Sequence, residues 1–208
     1  MENSLLHNNA HSNSPSIKDS YRPLQLLSAQ QLALVDAFIT IKNIKKGDII
    51  LRKGEVATKA YFVRIGCLRS YTIDDKGKEH IFMFAPEGWI ISDISTQMTD
   101  APSDLFIDAL EDSQVEVFDR RLSELIRAIS PQINNMTTEK FIKRIAVLQK
   151  RIIMLMSATA WERYQHFMET YPSIVQRVPQ RMIASYLGIT PEALSKLRSD
   201  NTKLKQKK

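Results

Sequence analysis

The hydrophobic pattern of the chain changes period twice. Before residue 39 it is helical: Leu32, Leu34, Val35 and Phe38 form one stripe and Ser28 stands where an N-cap belongs, so a helix is predicted over 28–38. Short apolar runs follow at 39–44, 49–52, 61–65, 68–73, 79–85, 106–110 and 115–119. Turn chemistry separates them: Lys45-Lys46-Gly47-Asp48, Lys53-Gly54-Glu55, Gly66, Asp74-Asp75-Lys76-Gly77 and Pro86-Glu87-Gly88. The 74–77 stretch is a strong hairpin signal. Many short strands with frequent turns predict a jelly roll or barrel.

The helical period returns at residue 131 and predicts a long helix over 131–157. Phe141, Ile145, Leu148, Ile152 and Leu155 alternate steps of four and three, the pattern of a coiled-coil seam, with Lys140, Lys143, Arg144, Lys150 and Arg151 off it. A core helix packed on its own roll is the other reading of this pattern. A further helix is predicted over 157–171, with Trp161, Tyr164, Phe167 and Met168 as its inner face.

Residues 177–199 read as two short helices joined by a tight turn. Met182, Ile183, Tyr186 and Leu187 make one apolar face, and Gly188 supplies the left-handed backbone that ends the helix. Ile189 plugs the gap between the helices. Thr190 offers an N-cap oxygen, Pro191 fits the first helical position, and Glu192 suits the first turn. Leu194 and Leu197 face back toward Ile183 and Leu187. Pro191, Glu192, Ser195, Lys196 and Arg198 remain for a partner, and from Asp200 onward the pattern reads as a basic tail, either adding nonspecific phosphate contacts or frayed and solvated.

Charge sharpens this picture. Residues 140–208 hold 14 Lys and Arg against 4 Asp and Glu, whereas residues 1–139 hold 15 against 19. Basic charge is thus gathered in the C-terminal third, as binding to nucleic-acid phosphates requires. A length of 208 residues allows one large or two small domains. No apolar run approaches the ~18 residues of a membrane span, so no membrane partner is expected. The Asn/Ser/His-rich start has neither the basic region nor the apolar stretch of a signal peptide. It reads as a flexible tail over 1–20, with His7 and His11 solvated there. The single cysteine, Cys67, excludes an internal disulfide and any all-Cys metal or iron–sulfur site within one chain. It reads as a buried packing residue in a cytoplasmic protein. His80 and His166 show no Ser, Cys or carboxylate partner motif, so no enzyme is expected. Asp93, Asp100, Asp104 and Asp108 fit no EF-hand spacing and read as solvated loop carboxylates, so no metal is expected.

The 177–199 segment resembles the DNA-binding end of the Crp/Fnr (cyclic-AMP receptor/fumarate-nitrate regulator) family of bacterial transcription factors. The family's recognition helix carries a polar residue, then Glu, then a basic residue four positions after the Glu. Those places hold Pro191, Glu192 and Lys196 here. Pro191 departs from the arginine often found there, so the family's usual target sequence does not carry over. Lys46-Gly47-Asp48, Gly54-Glu55 and Gly66 match turns of the family's β-roll, so the resemblance spans about residues 21–200. It implies an α+β chain: a cyclic-nucleotide-binding-like β-roll, a double-stranded β-helix jelly roll, over 21–128. A dimerisation helix over 129–157 and a winged-helix-like helix-turn-helix domain over 158–208 follow, with little room for the wing strands. It also implies a homodimer on double-stranded DNA, with recognition helices ~34 Å apart on a palindrome, and RNA polymerase as a further partner. Glu192 would accept from a cytosine amino group and Lys196 would donate to guanine O6 or N7. Ser195 would meet a base edge or phosphate; Gln180, Arg181, Thr190 and Arg198 would meet phosphates.

Family members that bind cyclic nucleotides carry a Gly-Glu pair and an Arg about nine residues later. Anchored on Ala109-Leu110-Glu111-Asp112, those places hold Asp93, Ile94 and Ser103, and no Lys or Arg occurs between Glu79 and Gln114. A buried phosphodiester needs a cation and donors. The cassette is therefore degenerate, and no cofactor is expected, neither cyclic AMP nor cyclic GMP. Trp89, Met98 and Phe106 read as core packing or as the lining of an apolar pocket. A ligand- or protein-binding roll whose C-terminal helices serve only assembly is the alternative function.

Overall fold

The computed structural model describes residues 16–205; residues 1–15 and 206–208, and with them His7 and His11, lie outside it. Its first residues are not tail. Ser16 caps a short helix, α1 (Ile17–Ser20), with a reciprocal Ser16–Asp19 capping box. Ile17 is buried, and its N–H donates to the buried Glu116 carboxylate at 2.8 Å, so the tail reading fails for 16–20. A 3-10 turn (Arg22–Leu26) leads to α2 (Ala29–Asp36), capped by Ser28 with Gln31 answering at N3. Val35 on α2 is buried, whereas Leu34, placed on the apolar stripe by its spacing, is exposed.

Eight strands follow: β1 (Thr40–Ile44), β2 (Ile49–Leu51), β3 (Lys59–Ile65), β4 (Leu68–Ile73), β5 (Glu79–Ala85), β6 (Ile90–Ile91), β7 (Phe106–Ala109) and β8 (Ser113–Asp119). All pair antiparallel, in two four-stranded sheets ordered β1-β8-β3-β6 and β2-β7-β4-β5. Val63, Leu68, Met83, Ala85, Ile91, Ile107, Val115 and Val117 fill the roll's interior. The α3 helix (Ile94–Thr99) sits between β6 and β7, and α4 (Arg120–Ile129) follows β8. Strand β6 and helices α3 and α4 have no counterpart in the sequence expectation. A second cluster, with Leu24, Val35, Phe62, Leu122 and Ile133, packs the N-terminal helices and α4 on β3.

Helix α5 (Pro131–Ser157) runs 27 residues, ~40 Å at 1.5 Å per residue. Then come α6 (Ala160–Thr170), capped by Thr159 and Glu162, α7 (Gln180–Leu187) and α8 (Pro191–Lys205). The last helix corrects the expectation of a short recognition helix and frayed tail: it continues through Asp200 to Lys205. Among the described residues no strand follows α6, so no wing flanks α8.

The β4–β5 sheet explains a feature of its sequence. The run Ile81-Phe82-Met83-Phe84-Ala85 is apolar without alternation, the signature of a strand covered on both faces. Met83 and Ala85 face the roll interior, while Ile81 and Phe84, with Cys67 and Tyr71, belong to a third cluster built with α6, α7 and α8. Burial pushes the Cys67 thiol up to about 12, which suits packing and not reactivity.

Gly66 makes the tightest backbone approach. It has φ +91°, and an added Cβ would lie 2.3 Å from Ser113 Oγ and 2.8 Å from the Asp112 carbonyl oxygen. At Gly77, φ +78°, the same atom would meet nothing within 4 Å. Gly66→Ala should therefore destabilise the fold by more than ~2 kcal/mol and Gly77→Ala by ~1 kcal/mol, as read by urea unfolding. Equal losses would count against the packing argument.

Candidate nucleic-acid interface

Helices α7 and α8 form the expected hairpin. Gly188 is left-handed at φ 69°, and the Ile189 N–H returns to the Ala184 carbonyl at 3.0 Å, closing α7. Thr190 Oγ1 accepts from the Ala193 N–H at 3.2 Å, which starts α8. Met182, Ile183, Ala184, Leu187 and Leu194 are buried between the helices, with Ile189 and Leu197 packed at the margin. Locking Leu194 inward fixes the rotation of α8 about its axis. Thr190, Pro191, Glu192, Ser195 and Lys196 are then exposed together, and Arg198 is half-buried. Gln180 and Arg181 are exposed at the start of α7. One continuous polar and basic face results, next to a helix N-terminus.

The cassette positions also meet, but around one another. Asp93 is buried and caps α3: its Oδ1 accepts from the Ser95 N–H at 3.0 Å and the Ser95 hydroxyl at 2.7 Å. Its Oδ2 accepts from the Ser103 hydroxyl at 2.7 Å, and Ser103 is buried as well. Burial opposes the Asp93 charge, yet these donors hold the carboxyl below its usual range. Ile94 is the first residue of α3. Asp93 therefore spends its acceptors on internal donors, and Ser103 Oγ also accepts from the Leu105 N–H. Phe106 stacks on Tyr71 with centroids 5.3 Å apart, and Trp89 lies 5.2 Å from Tyr171, so both are core residues. The Met98 side chain is outside the described residues.

The Cyclic nucleotide-binding domain family matches residues 41–127. The transcriptional activator protein FnrA of Stutzerimonas stutzeri is 27% identical over 202 residues, covering 90% of this chain and 81% of its own length. The anaerobic regulatory protein of Haemophilus influenzae is 27% identical over 187 residues, covering 82% and 70%. Among solved structures, FixK2 from Bradyrhizobium japonicum shares the fold with TM-score 0.69, at 22% identity, over 80% of this chain and 85% of that one. The Thermus thermophilus catabolite activator protein aligns with TM-score 0.54, at 15% identity, over 87% and 86%. Residues 41–127 form a cyclic nucleotide-binding domain, and over most of its length the chain is similar to transcription regulators of the Crp/Fnr type. Similarity to named regulators along most of the chain disfavours the alternative in which the C-terminal helices only assemble the protein.

The helix-turn-helix is held against the roll through residues that the sequence reading left without a role. Arg177, in the loop before α7, forms a double fork. It donates to Glu87 twice at 2.8 Å and to Glu111 at 2.9 and 3.1 Å. Gly66 N–H braces Glu87 at 2.9 Å. Ser185 of α7 accepts from the Ile81 N–H at 3.0 Å and donates to the Glu79 carbonyl at 2.8 Å. The partners of Arg177 and Ser185 lie 66 to 106 residues away, so no local pattern announces them.

Two further expectations need correction. The 79–114 stretch has no cation of its own, yet Asp108 is paired: Arg69 of β4 donates to it at 2.8 and 2.9 Å and also reaches Glu79. His80 does have a carboxylate partner, Asp74 at 2.8 Å. Asp74 accepts from the Lys76 and Lys78 N–H groups too, so this pair staples the β4–β5 turn. Among the described residues no helix is long and apolar enough to cross a membrane.

The fork carries a pH dependence. Burial opposes the Glu87 charge, but Arg177 and the Gly66 N–H hold its carboxyl below the usual range. A depressed carboxyl contributes stability above its unfolded value, ~4.3, and loses it as pH falls through the folded value. Wild-type stability from urea titrations should therefore drop between about pH 5 and 3 more steeply than that of Glu87→Gln. Parallel curves would remove the fork as a source of acid sensitivity.

Proposed function

We propose that the protein is a homodimeric, operator-binding regulator whose roll does not answer to cyclic AMP or cyclic GMP. The observation that carries the DNA reading is the exposed Thr190–Lys196 face of α8, held outward by the buried Leu194. In this reading Lys196 donates to guanine O6 or N7 and Glu192 accepts from a cytosine amino group. Ser195 touches a base edge or phosphate, and Gln180, Arg181, Thr190 and Arg198 hold phosphates. Pro191 starts the helix without offering a donor, which removes one base contact available to an arginine there.

The dimer reading rests on α5. Ile145, Ile152 and Leu155 of the proposed seam are exposed at 64%, 58% and 43%, and Leu148 is half-buried; the Phe141 side chain is outside the described residues. Ile142, Ile153 and Met156 extend the exposed apolar strip. A strip of this size facing water marks an interface. A second copy of the same helix covers it by two-fold symmetry and sets two recognition helices on one face of DNA.

The cassette reading rests on Asp93 and Ser103. By the family resemblance Asp93 takes the place of the cassette glycine and Ser103 that of its arginine, and the Ser103 hydroxyl donates to the Asp93 carboxylate. Titration calorimetry with cyclic AMP or cyclic GMP should show no binding at micromolar concentration. Saturable heat at that level would overturn the reading. Lys196→Ala should weaken binding to a selected palindrome by about tenfold or more and relax preference at one base step, with an unchanged melting temperature. A mobility-shift assay at fixed salt that shows wild-type affinity and preference would remove Lys196 from the recognition surface.

A further inference from the structure

We infer that the free edge of β5 and the Arg177 fork together act as a positioning device, fixing the spacing of the two recognition helices. This rests on the dimeric, operator-binding reading above. Strand β5 is the last strand of its sheet, paired on one side by β4. An edge strand leaves N–H and C=O groups unpaired on its outer side. Here side chains of two C-terminal helices take those groups. Ser185 of α7 bonds both the Ile81 N–H and the Glu79 carbonyl. Arg151 of α5 donates to the carbonyls of Ile81 and Phe82, and to that of Tyr186 at 3.3 Å. Its guanidinium lies 3.9 Å from the Tyr186 ring centroid. One side chain of the proposed dimer helix thus joins the sheet edge to α7.

The Arg177 fork is a second attachment at a separate point. It reaches Glu87 in the corner before β6 and Glu111 in the β7–β8 turn. One attachment would leave a swivel, whereas two restrict rotation of α7 and α8 as a unit. Docking leaves Thr190, Pro191, Glu192, Ser195 and Lys196 exposed, so it constrains the placement of the reading face without covering it. Fixed placement favours simultaneous engagement of two half-sites, because the ordering cost is met before binding.

The test uses the full chain with Arg177→Gln and Ser185→Ala, singly and combined. Binding is measured to a palindrome selected by the wild type, to the same palindrome with one or two base pairs added between half-sites, and to a lone half-site. Each added pair rotates the second half-site by about 35°. The wild type should discriminate strongly against altered spacing. The double variant should bind the selected palindrome about tenfold more weakly, discriminate among spacings by less than about threefold, and bind the half-site as the wild type does. Glu87→Gln with Glu111→Gln removes the fork without touching the DNA-binding helices and should reproduce the Arg177→Gln result; circular dichroism verifies folding of each variant. Retained spacing discrimination in the double variant would overturn the proposal. Tighter palindrome binding would also overturn it, since docking would then restrain and not position. A wild type that prefers no palindrome and no spacing would instead sink the dimeric reading, and the proposal with it.

Discussion

The structure depends on one sheet being buried on both faces. The inner face of β4–β5 closes the roll through Leu68, Met83 and Ala85; the outer face carries Cys67, Tyr71, Ile81 and Phe84. Phe84 is fully buried, edge-on to Phe167 and Tyr171 at 6.0 and 5.8 Å. Tyr186 closes the group, 5.2 Å from Phe167 and 5.5 Å from Tyr171. Each large side chain removed from water contributes ~2 kcal/mol, and aromatic pairs add to that. The helix-turn-helix is too small to bury Phe167, Tyr171 and Tyr186 within itself. It completes its core on the roll, and the polar contacts at the β5 edge and Arg177 decide in which orientation it does so.

The same economy of groups governs the cassette. A buried carboxylate is tolerated only when donors surround it. Asp93 obtains them from Ser95 and Ser103, and Asp108 obtains them from Arg69. Arg69 in turn answers two carboxylates, Asp108 and Glu79. In the reading proposed above, a sensor role for this roll works through other chemistry than phosphate capture, or through contacts made at its surface.

Legibility in the sequence followed the range of the interaction. The β4–β5 hairpin, the Gly188 stop and the Ser28 cap were readable because each rests on residues within a few positions of one another. Strand β6 was not, since two residues between Gly88 and Asp93 carry no period. Helix α4 had signals that were there to use: the Asp119 cap and the spacing of Leu122, Leu125, Ile126 and Ile129. The extension of α8 to Lys205 was hidden because Ser199, Asp200, Asn201 and Thr202 are poor helix formers, so propensity argued for an end that the structure does not make. Arg177 with Glu87, and Ser185 with Glu79, were out of reach: a surface arginine and a helix serine give no sign of partners that only the tertiary fold supplies. The candidate DNA face was legible as residue types and spacing, and the inward direction that spacing gives Leu194 is the one the structure has.

Helix α5 shows how these constraints meet. Its roll-facing side carries charge: Arg144 points to the Met83 sulfur at 3.3 Å, and Arg151 caps the β5 edge. Arg144 is half-buried, and that burial pulls its guanidinium down from the ordinary value. A neighbouring side, with Ile145, Ile152 and Met156, is apolar and exposed. A helix of a lone globular domain has the reverse arrangement, apolar inward and charged outward. The inversion is stable only if the outward side is covered as well, which supports the proposed pairing of two α5 helices. Arg151 then sits between the dimer axis and the DNA-reading unit. A change in how the two helices pack would reach α8 through this side chain and the Tyr186 ring beneath it, without any ligand in the roll.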